Sequence, residues 1–304
     1  MDLKETMNIC TLCPRQCRVN RLQGKTGFCL MPAQLRVARA ALHMWEEPCI
    51  SGTGEAAPGS GTVFFSGCTL RCVYCQNYDI AAGSFGKEIT VERLADIFLE
   101  LQEKGAANIN LVTPTHYTPQ IIRALDMVKH RLHIPVLSNT SGYECVQTLK
   151  LFEGYVDIYL TDFKYWDNIL AEKYSRAPDY SEVAKSALAE MVRQTGLPVF
   201  DSSGMMKKGV IVRHLMLPGQ LLDSKRVVRY VYETYGDRVY LSLMNQYTPL
   251  EHVRDMPELN CKVKKKSYDK LVDFAIGLGV QNAFIQGGEA AKESFIPSFE
   301  CEGV

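Results

Sequence analysis

An excess of charge of either sign is missing from this sequence. Its 304 residues carry 34 Lys and Arg against 34 Asp and Glu, with an isoelectric point near 7.0. A protein that grips a polyanion leaves a basic footprint, so this balance argues against a bulk nucleic-acid substrate. No window approaches the ~18 consecutive apolar residues of a membrane helix, which argues against a membrane span. The opening Met1-Asp2-Leu3-Lys4-Glu5 is charged and polar and has no apolar signal core, so a cytoplasmic protein is expected. No segment repeats at a fixed period, and no tract is of low complexity. A chain of this length buries roughly 75% of its unfolded surface, enough for one large domain with an appendage. What the sequence does have is cysteine, eleven in all. Without a secretion signal these point to metal ligation in a reducing compartment rather than to disulfides.

Three of them stand at C-x3-C-x2-C spacing: Cys68, Cys72 and Cys75, directly after the apolar run Thr62-Val63-Phe64-Phe65. Thiolates are the ligands of iron–sulfur clusters, and a cubane cluster has four irons. Three close cysteines hold three irons and leave the fourth open to a non-protein ligand, the open-position logic of catalytic metal sites. The blander readings are a zinc knuckle lacking one ligand, or three ordinary buried thiols.

The stretch Gly67-Cys68-Thr69-Leu70-Arg71-Cys72-Val73-Tyr74-Cys75-Gln76-Asn77 resembles the radical S-adenosylmethionine (SAM) superfamily, in the branch of the pyruvate formate-lyase activating enzymes. The resemblance implies a [4Fe-4S] cluster on Cys68, Cys72 and Cys75, with SAM chelating the open iron through its amino and carboxylate groups. It implies reductive cleavage of SAM to a 5′-deoxyadenosyl radical. The enzyme class implied is a radical SAM oxidoreductase that activates a glycyl radical enzyme or a related protein, with flavodoxin or ferredoxin as electron donor. A radical SAM enzyme acting on a small molecule or peptide is the first alternative. A non-catalytic iron–sulfur interaction protein is the second.

From Thr62 onward β-type runs alternate with helical ones. Strands are expected at 62–65, 108–113, 135–140, 156–162, 209–216 and 239–244, with Ala283-Phe284-Ile285 as a seventh. Helical stripes fall between them, such as Val91, Leu94, Ile97, Phe98 and Leu101, stopped by Gly105. Strands alternating with helices imply right-handed β-α-β units and a parallel sheet. Six or so units match the partial (β/α)6 barrel of the family, giving an α/β fold with residues 61–304 as the barrel and 1–60 as a Cys-rich arm. Leu35–Ala40 alternates as a short strand, and the Gly- and Pro-dense run 51–61 marks a loop. Glu46 and Glu47, just before that loop, read as solvated surface without chemistry.

Function in parallel α/β folds collects at the C-terminal ends of strands. Those ends carry Thr113-Pro114-Thr115-His116, Ser138-Asn139-Thr140-Ser141-Gly142, Asp162-Phe163-Lys164 and Arg213. The SAM carboxylate calls for Lys164 or Arg213, and the ribose hydroxyls for Ser138 and Asn139. Tyr74 belongs to the same expected shell. Asp162-Phe163-Lys164 looks like the Asp-Leu-Lys of the activating enzymes, whose aspartates help bind a monovalent cation; Asn139 replaces the second of those aspartates. Where the family commonly has Gly-Gly-Glu for the SAM amino group, Thr113 and Thr115 offer carbonyls and hydroxyls instead. His116 is expected to face the cavity, where an imidazole suits proton transfer. The period of two sends Arg213 and His214 opposite ways, with Arg213 inside. Gly287-Gly288-Glu289 reads as a Gly-rich turn after the last strand.

In the arm, Cys10, Cys13, Cys17 and Cys29 stand at C-x2-C-x3-C-x11-C spacing. Four thiolates suit zinc or a second iron–sulfur cluster equally; unliganded thiols in a mobile arm are the bland reading. The lysines at 262, 264, 265 and 266 read as a solvated stretch on which an acidic electron donor could dock. Phe295–Phe299 is expected to fold back over the barrel.

Overall fold

The computed structural model describes residues 5–83, 85–286 and 299–304. Its strands are β1 (Leu35–His43), β2 (Ser60–Phe65), β3 (Lys87–Ile89), β4 (Ile109–Val112), β5 (Val136–Thr140), β6 (Ile158–Asp162), β7 (Val199–Phe200), β8 (Met206–Leu215), β9 (Tyr240–Met244) and β10 (Ala283–Ile285). They form one sheet in the order β10-β9-β8-β6-β5-β4-β2-β1-β3, with β7 hairpinned onto β8. The pairs joining β2, β4, β5, β6, β8, β9 and β10 are all parallel, whereas β1 runs antiparallel to β2 and to β3, and β7 to β8. Seven parallel strands are therefore present, the seventh being Ala283–Ile285 as expected. The sheet is open rather than a closed barrel, with β3 and β10 as its edges.

Helices cover the outer face for reasons visible in their sequences. In Val91–Glu103 the Thr90 hydroxyl accepts from the Arg93 amide, and Leu94, Ile97, Phe98 and Leu101 are buried along one stripe. Thr118–Val128 begins with Pro119, whose missing N–H costs nothing at a helix start. The helices Asn168–Ser175 and Tyr180–Thr195 also cover this face.

The register of the parallel strands decides what points inward. Asn139, Leu160, Ile211 and Tyr240 are successive cross-strand partners, and so are Asp162, Arg213, Ser242 and Phe284. Side chains in register on parallel strands share a face, so each set forms one layer of the interior.

Residues 44–52 turn back beneath these layers. The short helix Pro48–Ser51 places Cys49 and Ile50 against Leu137, Ile158, Leu160, Met206 and Ile211. Asn108 Nδ2 donates to the Ile50 carbonyl at 2.8 Å, and its Oδ1 accepts from Ser60 Oγ at 2.7 Å, which ties the plug to β2. The described C-terminal residues return along β1: the Cys301 amide donates to the Ala38 carbonyl and the Ala40 amide to that of Glu302. Phe299 meets Phe64 edge-on at 5.4 Å. Residues 295–298 of the expected apolar tail, and Gly287-Gly288-Glu289, lie outside the described residues. Ile50 is wholly buried, so Ile50→Ala should cost about 2–5 kcal/mol in urea unfolding of the protein. A change under ~1 kcal/mol would mean that the plug is not part of the core.

Candidate functional site

A cavity of about 560 Å3 opens at the C-terminal ends of the parallel strands. Cys68, Cys72 and Cys75 lie on its wall, on the loop that leaves β2. Gly67 starts that loop with φ +84°, and a Cβ there would collide with the Met31 side chain and the Cys29 carbonyl. Only glycine lets the loop turn so close under the arm. The amides of Leu70 and Arg71 both point at Cys68 Sγ at 3.4 Å. Burial pushes the Cys68 thiol up to about 11 and the Cys75 thiol up to about 12. Thiolates here need compensating positive charge, which metal binding provides with release of the protons.

The arm holds this loop from outside. Arg15 Nε donates to the Thr69 carbonyl at 3.0 Å and Nη2 to those of Ser175 at 2.8 Å and Leu70 at 3.4 Å. Its guanidinium lies 3.8 Å from the Phe28 ring centre and 5.0 Å from that of Tyr143. Arg71 Nη1 donates in turn to the Phe28 carbonyl at 3.3 Å. The tightest part of the arm is thus fitted to the cysteine loop and does not hang free.

Tyr74 lines the cavity, buried edge-on among Tyr165, Tyr174 and Tyr247 at 6.1–6.4 Å. Lys164 Nζ donates to Asp162 Oδ2 at 2.6 Å. Burial alone would lower the Lys164 pKa, but Asp162 and the Cys72 and Cys75 sulfurs outweigh it and hold the ammonium charged. Arg213 also lines the cavity, bonded through Nη1 to Glu46 Oε2 at 3.0 Å and through Nη2 to Asn139 Oδ1. Its Nε stands 3.6 Å from Asp162 Oδ1. Burial opposes this charge too, and Glu47, Glu46 and Asp162 overcome it, so the guanidinium pKa is raised.

Of the expected shell, the cavity therefore gathers Tyr74, Thr113, Asn139, Asp162, Lys164 and Arg213, and adds Thr140 and Ser141. It does not gather Thr115, His116 or Ser138. Ser138 lies within β5 and points away from the face that Asn139 occupies, whereas Thr140 and Ser141 reach the cavity from the strand's end. Thr113 takes φ +54°, and the chain beyond it turns away. Thr115 Oγ1 donates to the buried Glu144 Oε2 at 2.6 Å, and His116 Nε2 pairs with the Ser66 carbonyl at 2.8 Å. The Arg21 guanidinium donates to the His116 carbonyl from the arm. His116 is a strut beneath the cysteine loop, and His214 likewise bonds the Phe163 carbonyl at 2.7 Å.

Glu46 and Glu47 depart furthest from expectation. Neither is solvated surface: both line the cavity floor, and Glu47 is only 8% exposed. The plug turns them inward, and an acidic pair followed by proline carries no periodic signal that would disclose it. Glu46 Oε1 accepts from Asn110 Nδ2 at 2.9 Å.

In the arm, Cys10, Cys13 and Cys29 are buried and Cys17 half-buried. The Phe28 amide points at Cys17 Sγ at 3.3 Å, and Arg21 Nη1 reaches Cys10 Sγ at 3.9 Å. Among the described residues, no three His, Cys, Asp or Glu side chains group so as to hold a single metal ion. A cubane makes a different demand, because each thiolate takes a separate iron and the sulfurs stand apart. No helix of the described residues is long and apolar enough to cross a membrane. The lysines at 262 and 264–266 are exposed, as a solvated stretch requires.

Comparison with known proteins gives a family match. The model of the radical SAM superfamily matches residues 62–231, more than half of the chain. The uncharacterized protein MJ0674 of Methanocaldococcus jannaschii is 28% identical over 282 residues, covering 90% of this chain and 75% of that protein. SuiB of Streptococcus suis, in its structure bound to S-adenosylmethionine, aligns with a TM-score of 0.48 at 14% identity. That alignment covers 72% of this chain and 47% of SuiB, so the chain spans under half of SuiB's length. Methylornithine synthase (PylB) aligns with a TM-score of 0.47 at 16% identity, over 72% of this chain and 68% of that one.

Two outcomes test the site's supports. Arg15→Lys keeps the charge but loses the planar fork that reaches several carbonyls. It should lower iron retained after anaerobic reconstitution several-fold while circular dichroism stays unchanged; full iron content would refute the clamp. For His116, burial and the nearby Arg21 charge depress the pKa from 6.5 to about 3. The unfolded chain takes up a proton that the folded chain refuses, so stability is full above pH 6.5 and falls on acidification. The slope is about 1.4 kcal/mol per pH unit. The stability advantage of wild type over His116→Gln should shrink at that slope from pH 6 to 4.5, and parallel curves would refute it.

Proposed function

The chain belongs to the radical SAM superfamily, and we propose that it holds its [4Fe-4S] cluster on Cys68, Cys72 and Cys75 and cleaves SAM reductively. Family membership implies both the cluster and SAM. The observation that carries the residue assignment is the placement of the three thiols. They share one loop on a cavity wall, with amides aimed at one sulfur and the Lys164 ammonium under the influence of the other two. The donor set fits an anionic thiolate cluster, whose charge those groups offset. When bound, the cluster supplies the electron that splits SAM into methionine and a 5′-deoxyadenosyl radical, the hydrogen-abstracting species.

The protein's own residues bind and orient. Lys164 suits the SAM carboxylate better than Arg213, which Glu46 and Asn139 already occupy. Thr113 offers its carbonyl to the SAM amino group, Tyr74 an apolar face to the adenine, and Asn139, Thr140 and Ser141 polar groups to the ribose. The Asp162–Lys164 pair fixes the ammonium, which reduces the ordering cost of binding. In the arm, Cys10, Cys13, Cys17 and Cys29 suit a second cluster better than zinc, since no three of them group around a single metal ion. The exposed lysines at 262 and 264–266 suit an acidic electron donor such as flavodoxin or ferredoxin.

Two targets of hydrogen abstraction follow from different observations. Likeness of the cysteine motif to the activating enzymes supports a glycine in a partner's backbone loop. The carboxylates on the cavity floor favour a small molecule or peptide, since a glycyl backbone has no charge for them to meet. We adopt the second target for this reason.

Anaerobically reconstituted, dithionite-reduced protein should convert SAM to 5′-deoxyadenosine. Cys72→Ala should abolish this, by at least ~100-fold, as expected when an essential ligand is lost. Lys164→Met should raise the KM for SAM about tenfold, the loss of a charge-assisted contact. Absence of 5′-deoxyadenosine from cluster-loaded protein would leave only a non-catalytic iron–sulfur protein.

A further inference from the structure

Among the described residues, three carboxylates line the cavity, Glu46, Glu47 and Asp162, against two permanent cations, Lys164 and Arg213. The cations are spoken for. Lys164 is bonded to Asp162, and Arg213 bonds Glu46 and Asn139, with its Nε 3.6 Å from Asp162 Oδ1 and without a hydrogen bond among the described residues. Glu47 is left over. Its side chain accepts a hydrogen bond from Ser242, yet Oε2 is buried with no hydrogen-bond partner among the described residues. Native proteins rarely bury a polar atom unpaired, and each case calls for an explanation. The Glu47 side chain lines the cavity, so a ligand there can supply the missing donor if the carboxyl turns Oε2 toward it.

We infer that Glu47 is the anchor of a substrate subsite on the cavity floor, and that the group it receives is an ammonium or guanidinium at the end of a slender chain. Deepening the proposed reading of the cavity, this inference rests on it for the word substrate, but the charge argument does not involve SAM.

The chemistry of the neighbours agrees. Phe64 and Phe284 line the same cavity and supply apolar flanks for a methylene chain. A cation against Oε2 relieves an unfavourable environment: burial and the Glu46 charge raise the Glu47 pKa, and Arg213 offsets them only in part. A backbone amide would meet one oxygen but add no charge to the partial compensation from Arg213; a cation meets both demands. An anionic substrate end is excluded from this spot by Glu46 and Glu47 together.

The test titrates anaerobically reconstituted protein, without reductant or SAM, with n-butylammonium, n-butylguanidinium and n-butanol by calorimetry. At least one cation should bind ten-fold or more tighter than the alcohol, and the better of the two identifies the head group. Glu47→Gln should erase that preference, while Glu47→Asp should retain part of it. Equal binding of cation and alcohol, or a preference that survives in Glu47→Gln, would overturn the inference. Because no SAM cleavage is read, failure here is separate from failure to form 5′-deoxyadenosine.

Discussion

Arg213 reaches from β8 into the interior with its nitrogens directed at three segments: Glu46 of the plug, Asn139 at the end of β5 and Asp162 at the end of β6. A guanidinium withdrawn from water is tolerable only when its charge and its donors are met nearby. Meeting them ties residues far apart in sequence into one layer. With the arginine in place, the plug must present Glu46 upward, and the carboxyl next to it follows onto the floor. The Lys164 ammonium, paired with Asp162, is held near the cysteines. Much of the cavity's electrostatics therefore descends from one buried charge on the central part of the sheet.

The cysteine loop depends on a second set of contacts, made from outside. Arg15, stacked on Phe28, holds carbonyls on the loop and at the end of the helix Asn168–Ser175. Gly67 lets the loop pass under Met31 and Cys29. Arg21 and His116 continue the bracing below, through the His116 and Ser66 carbonyls. The Cys-rich arm thus acts mechanically on the loop. Preorganisation of this kind matters for a cluster site, because loop ordering otherwise subtracts from the binding free energy.

Much of this was legible in the letters because it is periodic or local. Strand and helix alternation follows from apolar spacing, and the parallel sheet from alternation itself. The three-cysteine loop is a contiguous motif, and the period of two correctly separated Arg213 from His214. Asn139 and Ser138 show the limit of reading strand ends as undivided lists: the same period of two that parts 213 from 214 also parts 138 from 139. His116 shows another limit, since whether a polar residue after a strand faces the mouth depends on how the chain turns at Thr113.

By itself the sequence determined the order of β-α units, the family through its cysteine loop, and the chemical kinds of group available at the strand ends. Tertiary structure alone decided which of those groups meet. Glu46 and Glu47 lie on an irregular turn before a four-residue helix, with no periodic pattern to orient them. Their burial is set by Arg213, 167 positions away from Glu46 in the chain. A charge pair at such separation leaves no local trace, because the energy that selects it exists only after the sheet has brought its two ends together.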